Sequence, residues 1–219
     1  SGTGCNNNTV IGSSSLNQLT NAHSNVVIGY NSSGSGTMTG SGTWHSNIVI
    51  GYQAGNNKPT AASNIVIGKY ACNEAGQSQS DNIIMGTNAC RYLGNSSNNL
   101  IAIGQEAGYK AGYTSSSNHG QAWTHSVAIG YRAMYNATGA PDSVVAIGSN
   151  ALKEHDGDGD NTSGGYIVAV GNNAMAANQH IRHTVAVGND AGAYWNPIKG
   201  NQHEGGAVFV GGGAGRYGG

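Results

Sequence analysis

Apolar residues occur in short bursts along this chain, each a triplet of mainly Val, Ile or Ala followed by glycine. SNIVIGYQAG at 46–55 and SNIVIGKYAC at 63–72 are two copies, seventeen residues apart. Ala stands three residues after the glycine in nine of eleven copies. Spacings run from 17 to 26 residues between the glycines Gly12, Gly29, Gly51, Gly68, Gly86, Gly104, Gly130, Gly148, Gly171, Gly188 and Gly211. Repeats of this size predict a solenoid, since one unit cannot bury a core alone.

Each repeat has the composition of a short strand followed by a bend. Triplets such as Ile65-Val66-Ile67 are rich in β-branched residues, which favour strands. The glycine permits a bend or bulge that a Cβ would obstruct. A unit of seventeen residues fits two short strands and two turns, and stacked parallel strands rise about 4.8 Å per unit. We predict an all-β fold, a parallel β-solenoid or β-roll of eleven rungs, about 50 Å long.

The middle residue of the triplet is apolar in every copy. The outer two residues share one face of the strand, and the middle one points the other way. In an isolated rod we expect the middle position to face solvent and to be polar. We therefore predict that the triplet is buried on both sides, the second time against another copy of the chain. The alternative is a wider single-chain solenoid without a partner. The predicted interface residues are Val27, Val49, Val66, Ile84, Ala102, Ala128, Ala146, Ala169, Ala186 and Phe209.

Asparagine stands four residues before the glycine in the first five copies, at Asn8, Asn25, Asn47, Asn64 and Asn82. Asparagines in register can form a hydrogen-bonded ladder along a stack. After Gly86 this position becomes Leu, Ser, Val, Ile, Thr and Ala, and the middle residue changes from Val or Ile to Ala. We interpret residues 1–219 as one repeat domain with two halves, rungs 1–5 at about 1–90 and rungs 6–11 at about 91–219.

The motif SVAIG followed by two residues and Ala, at 126–133, resembles the head repeat of YadA-like trimeric autotransporter adhesins. NIVIGYQAG at 47–55 is similar to the repeats of phage and viral tail fibres. The resemblance covers all eleven units and implies a left-handed β-roll, a homotrimer around one axis and a role in attachment. The predicted interface would then be a trimer interface. YadA-like heads keep a period of about fourteen residues; this chain has longer, irregular units and looks more like a tail fibre.

Four spacings exceed the bare unit and mark insertions at about 31–46, 108–125, 153–165 and 193–206. All three tryptophans and several His and Tyr residues fall in or beside them. Loops on a rigid scaffold commonly carry binding residues, and aromatic planes beside amides suit sugars. The alternative is that these rings anchor their own loops. The candidate ligand-binding residues are Trp44, His45, Tyr109, Tyr113, Trp123, Tyr194 and Trp195.

Two other sequence features bear on ligands and redox state. Asp156, Asp158 and Asp160 alternate with glycine, a spacing that suits a calcium loop. An EF-hand is excluded, and a solvated acidic turn is the alternative. Cys72 and Cys90 occupy the same apolar repeat position, which predicts buried, reduced thiols. Apart from calcium, the sequence indicates no cofactor.

Composition narrows the function. Charged residues make up 9% of the chain and the net charge is −1, which speaks against a nucleic-acid groove. No apolar run approaches the roughly 18 residues of a membrane span. Carboxylates are scattered, so no catalytic pair is indicated and we expect no enzyme. The sequence predicts the receptor-binding part of a tail fibre on a virion, which binds a host cell-surface glycan or an outer-membrane receptor. The alternatives are a bacterial adhesin head on the cell surface, a structural shaft and a polysaccharide depolymerase.

Overall fold

The computed structural model describes residues 5–16, 21–33, 44–56, 61–76, 79–112, 123–137, 143–156, 166–179, 183–195 and 206–217. Within these ranges the chain is all-β, and no helix is long and apolar enough to cross a membrane. The described residues contain seventeen short strands: β1 (Thr9–Ile11), β2 (Ala22–His23), β3 (Val26–Ile28), β4 (Trp44–His45), β5 (Ile48–Ile50), β6 (Ala61–Ala62), β7 (Ile65–Ile67), β8 (Gln79–Ser80), β9 (Ile83–Met85), β10 (Ile101–Ile103), β11 (Val127–Ile129), β12 (Val144–Ile147), β13 (Glu154–Asp156), β14 (Ile167–Val170), β15 (Ala177–Gln179), β16 (Thr184–Val187) and β17 (Val208–Val210).

The strands form three parallel sheets. The long sheet has eleven strands in the order β1-β3-β5-β7-β9-β10-β11-β12-β14-β16-β17. A short sheet pairs β2-β4-β6-β8, and β13 pairs with β15. Isolated bridges extend the short sheet from Ser80 to Asn98 and on to Thr124. Parallel strands that follow one another in chain order, with a second sheet beside them, make a β-solenoid, and this part of the predicted fold is confirmed.

Pairing in the long sheet joins equivalent positions of neighbouring repeats. Val49 pairs with Val66, and Val66 with Ile84. The pairing continues where the sequence pattern changes, because Ile84 pairs with Ala102 and Ala102 with Ala128. The long sheet therefore runs without a break through the boundary near residue 90.

The middle residues of the triplets lie inside the single chain. Val27, Ile84 and Ala102 are fully buried, and Val49 and Val66 are 1% exposed. Buried alanines that follow the glycines, such as Ala54 and Ala71, belong to the same core.

The prediction that the middle residues face sister chains is therefore wrong. Closure of each turn directs the middle side chain inward and leaves the two outer residues of the triplet on the surface. At the two ends of the long sheet Val10 is 41% exposed, and Phe209 packs partly buried against the core. The residues that this correction concerns are Val27, Val49, Val66, Ile84, Ala102, Ala128, Ala146, Ala169, Ala186 and Phe209.

The asparagine ladder is confirmed. The side-chain amide of Asn64 donates to Oδ1 of Asn47 at 3.1 Å and to the backbone carbonyl of Gln79 at 3.0 Å. Oδ1 of Asn64 accepts the backbone N–H of Asn82 at 3.1 Å and its side-chain amide at 3.0 Å. Leu100 ends the ladder by donating its backbone N–H to Asn82 Oδ1 at 2.9 Å. The buried amides are thus paired both along the stack and across the turn.

The repeated glycine is required by the distance between neighbouring turns. Gly104 and Gly130 have φ values of 134° and 131°, in a region that side chains rarely adopt. A Cβ on Gly104 would lie 2.5 Å from the carbonyl oxygen of Gly130, and one on Gly130 would lie 2.5 Å from that of Gly148. The backbone of the next turn occupies the space of the missing side chain, so the glycines stack in a column.

Candidate functional site

The outer surface of the long sheet is an uninterrupted apolar face, which we call the apolar face. It consists of the first and third residues of each triplet, which point away from the core. Apart from Thr9 at one end, every position is Val, Ile or Met. The residues are Thr9, Ile11, Val26, Ile28, Ile48, Ile50, Ile65, Ile67, Ile83, Met85, Ile101, Ile103, Val127, Ile129, Val145, Ile147, Val168, Val170, Val185, Val187, Val208 and Val210.

These side chains are partly open to solvent in the single chain. Ile48, Ile147 and Val187 are each 38% exposed. The first and third residues of the last strand, Val208 and Val210, are 66% and 70% exposed. Ten steps of about 4.8 Å give the apolar face a length of about 48 Å. Soluble monomers rarely expose apolar patches of this continuity, and such patches mark interaction surfaces.

A second surface, the tyrosine–cation track, follows the turns that leave the long sheet. Its members come from the six residues after the repeated glycine, in successive repeats. Neighbouring rings contact one another directly, Lys69, Arg91 and Arg132 lie over them, and Lys110 stands in the same stretch of turns. The rings are Tyr30, Tyr52, Tyr70, Tyr92, Tyr109, Tyr131 and Tyr135, and the cations are Lys69, Arg91, Lys110 and Arg132.

The first part of the track is built from stacked and edge-on tyrosines. Tyr30 stacks on Tyr52 with ring centroids 5.4 Å apart and planes at 17°. Tyr52 meets Tyr70 edge-on at the same centroid distance. Arg91 lies over both Tyr70 and Tyr92, at 5.0 and 5.3 Å from the ring centroids. These contacts are favourable both as ring pairs and as cation–π pairs.

The second part of the track repeats the same arrangement. Tyr109 stacks on Tyr135 at 4.9 Å with nearly parallel planes. Arg132 lies 5.0 Å from the ring centroid of Tyr131 and 5.1 Å from that of Tyr135. Neighbouring rings and guanidinium groups therefore occupy at least one face of each of these rings, so the ring faces of the track are only partly open to solvent.

Carboxylates neutralise part of the positive charge of the track. Arg91 Nη2 lies 3.2 Å from Glu74 Oε1, and Arg132 Nε lies 2.6 Å from Glu106 Oε2. Neither Lys69 nor Lys110 has a carboxylate partner among the described residues. Lys69 instead lies over the rings of Tyr52 and Tyr70. The track therefore carries a small net positive charge on a chain whose overall net charge is −1.

Two phenols of the track are held in the neutral form. The pKa of Tyr52 is raised above its ordinary 10.0, first by the neighbouring Tyr70 and then by partial loss of solvent. The pKa of Tyr109 is raised first by burial and then by Tyr92. At physiological pH both side chains therefore act as uncharged hydroxyl donors and acceptors.

Two of the predicted ligand-binding tryptophans lie in the core. Trp44 is 2% exposed and Trp123 is fully buried, and both belong to the main hydrophobic cluster. Trp44 pairs in the short sheet with Ala22 and Ala61. For these two rings the anchoring alternative is correct, and contact with a ligand is not open to them.

The other predicted ligand-binding residues are distributed over three places. His45 is exposed on the short sheet, and Tyr109 lies in the tyrosine–cation track. Tyr194 is 52% exposed and stacks on Tyr217 at 5.6 Å, while Trp195 is half-buried against Phe209. Tyr113 lies outside the described residues. The structure thus does not gather these side chains into one site.

The calcium prediction is only partly within the described ranges. Asp156 ends β13, whereas Asp158 and Asp160 lie outside the described residues. Within the described ranges no three His, Cys, Asp or Glu side chains are grouped to hold a metal. Cys72 and Cys90 are fully buried, which confirms the predicted environment of these thiols.

Apart from Tyr109, the tyrosine–cation track was not predicted from the sequence, whose candidate ligand-binding residues lie in or beside the inserted segments. A signal was present: Lys or Arg occurs once in each of four successive repeats, at Lys69, Arg91, Lys110 and Arg132. These residues stand at different offsets from the glycine, so no single repeat position identified them. Only the turns of the solenoid bring them together.

Comparison of the chain with protein-family models, with curated proteins and with solved structures gave no match. The resemblance to adhesin heads and tail fibres therefore rests on the repeat motif.

Proposed function

We propose that three copies of this chain assemble side by side around one axis, with their apolar faces inside. The assembly is the host-attachment part of a phage tail fibre, carried on the virion. It binds a glycan or another receptor on the host surface and performs no catalysis. In this proposal each strand of the long sheet marks one of eleven rungs.

The observation that carries the proposal is the apolar face of a single chain. Two columns of Val, Ile and Met run its length, and Thr9 is the one polar residue among them. Residues such as Ile48 and Ile147 remain 38% exposed when the chain is alone. Burial of apolar surface contributes a favourable free energy of about 25 cal/mol per Å². Burying the whole apolar face between copies of the chain therefore strongly favours assembly.

A second copy of the same chain is the occupant that this face fits best. Each face is a regular array with the same spacing between steps, so copies aligned in parallel match one another along the whole length. Three flat faces enclose a closed core and leave no apolar face open. The trimer rather than the dimer is supported by the resemblance of the repeats to those of trimeric adhesins and tail fibres.

Attachment is supported by the repeat motif and by the rigidity of the scaffold. A solenoid with hydrogen-bonded turns holds surface side chains in a fixed row, which suits recognition of an extended ligand on a cell surface. The low charge of the chain fits a ligand rich in hydroxyl groups.

Light scattering on the purified chain tests the assembly. We expect a mass of three times 22.2 kDa. The variant Ile67→Glu with Ile103→Glu places six charges in the trimer core, and we expect it to be monomeric with an unchanged β-sheet circular dichroism spectrum. The matched control Gln105→Glu with Asn172→Glu places six charges per trimer at exposed positions outside the face and should stay trimeric.

Binding of the labelled protein to intact host cells and to a glycan array tests attachment. We expect binding by the wild type and loss of avidity in the monomeric variant, because three linked sites raise the effective concentration. A monomeric wild type would overturn the proposed trimer. A trimer that binds neither cells nor glycans would contradict attachment and favour the alternative of a structural shaft.

A further inference from the structure

The tyrosine–cation track runs along successive turns of the solenoid and consists of phenols and cations. It lies on the turns beside the apolar face, not within that face. From Lys69 to Arg132 it carries one cation in each repeat, so the positive groups advance by about 4.8 Å per step along the rod. A periodic row of this kind fits an extended polymer whose own groups repeat along its axis.

From these contacts we propose that the tyrosine–cation track binds a linear polysaccharide whose sugar units carry carboxylate groups. The polymer lies along the rod axis, with its carboxylates at the cations and its hydroxyls at the phenols. This inference rests on the proposed attachment function and specifies the glycan.

The charges favour an anionic ligand. Glu74 and Glu106 already pair with Arg91 and Arg132, which fixes the two guanidinium groups in place. Lys69 is exposed and Lys110 is half-buried, and neither has a carboxylate partner among the described residues. These two ammonium groups are therefore the ones available to a carboxylate of the polymer.

The tyrosines favour a sugar over a nucleic acid. Tyr30, Tyr52 and Tyr131 are 53%, 41% and 43% exposed, so their hydroxyls are accessible. Stacking of Tyr30 on Tyr52 and of Arg132 on Tyr131 covers ring faces. Binding of single-stranded nucleic acid relies on open ring faces for base stacking, and in this track neighbouring rings and guanidinium groups already occupy part of those faces. Hydroxyl groups on ring edges instead suit the hydroxyls of a sugar chain.

Polygalacturonate and the same polymer after full methyl esterification test the proposal, because esterification replaces each carboxylate by a neutral ester on the same sugar chain. We expect the wild-type protein to bind polygalacturonate at least about tenfold more tightly in calorimetry, with affinity that falls as salt is added. Lys69→Gln with Lys110→Gln should weaken this binding about tenfold. The control Lys153→Gln with Arg216→Gln removes the same charge at described positions outside the track and should change it less than twofold.

Conservative changes of the phenols separate ligand contact from structural stacking. Tyr30→Phe with Tyr52→Phe keeps both rings and removes the hydroxyls, and we expect a several-fold loss of affinity with an unchanged unfolding midpoint. If this variant binds polygalacturonate as tightly as the wild type does, the two hydroxyls do not contact the polymer.

The proposal is overturned if the wild type fails to bind polygalacturonate, if it binds the esterified polymer or poly-glutamate equally well, or if the double lysine variant binds like the wild type. In each of these cases a trimer that still binds host cells leaves the attachment function standing. A protein that is monomeric and binds no cells removes the attachment function independently of the result with polygalacturonate.

Discussion

The first ninety residues and the remainder of the chain build the same turns with different interiors. Before residue 90 the middle residue of the triplet is Val or Ile, and the position four residues after the glycine is small at Ser33, Gly55, Cys72 and Cys90 but large at Leu16. After residue 90 the middle residue is Ala except at Phe209, and the later position holds the large buried side chains Met134, Leu152 and Met175 in three turns and glycine in the other three.

The two positions share one space inside the turn. A Cβ on Gly55 would lie 3.1 Å from Cγ1 of Val49, a tight contact. A Cβ on Gly108 would lie 3.8 Å from the Cβ of Ala102 but 2.9 Å from Cys90 Sγ of the preceding turn. In the turns that combine a middle Ala with Met134, Leu152 or Met175, the interior is filled by exchanging size between the two positions, as close packing requires.

The two regions also differ in the hydrogen bonds made at the residue directly before the triplet. In the first region Asn Oδ1 accepts the backbone N–H of the next turn, as between Asn47 and Asn64 at 3.0 Å. In the second region Val144, Ile167 and Thr184 take the same position and join the long sheet, which lengthens β12, β14 and β16 to four residues. One backbone thus accommodates either a side-chain ladder or a longer strand.

The glycine column is common to both regions, and its loss should be the most damaging change. Gly51→Ala and Gly130→Ala each place a Cβ 2.5 Å from a carbonyl oxygen of the next turn at a strained φ. We expect each to lower the free energy of unfolding by about 4 kcal/mol, measured by urea denaturation. If one substitution lowers the free energy of unfolding much less than the other, neighbouring turns are farther apart in that region.

Replacement of a ladder asparagine should distinguish the two regions. Asn64→Leu removes four hydrogen bonds to Asn47, Gln79 and Asn82 and leaves buried groups unpaired. We expect a loss of about 3 kcal/mol in the free energy of unfolding. The matched change Ile167→Leu at the same repeat position of the second region keeps the side-chain volume and should cost less than about 1.5 kcal/mol. Equal costs would contradict a structural role of the ladder.

Shortening the side chain four residues after the glycine should destabilise the second region more than the first. The difference should be smaller than that caused by loss of a ladder asparagine. Leu152→Ala opens a cavity in the second region, and Cys72→Ala removes one atom in the first. We expect Leu152→Ala to cost about 2 kcal/mol more, because the cost increases with the volume of the cavity. Thermal unfolding of both variants measures the difference, and similar midpoints would refute the exchange of size described above.

Local patterns in the sequence were sufficient to determine the β-solenoid, the asparagine ladder and the need for the repeated glycine. Each of these follows from residues that recur at one repeat position, such as Asn47 and Asn64, and stacking in register brings equal positions together. Buried surroundings for Cys72 and Cys90 followed in the same way, because their position is apolar in other copies.

The tertiary structure decided which side of the triplet faces inward. Alternation in a strand separates the middle residue from its neighbours, but both faces are apolar in this chain, so only closure of the turn distinguishes Val66 inside from Ile65 and Ile67 outside. It also decided that Trp44 and Trp123 fill the core. The tyrosine–cation track likewise needed the fold, because its residues stand at different offsets in their repeats and meet only where successive turns pass one another.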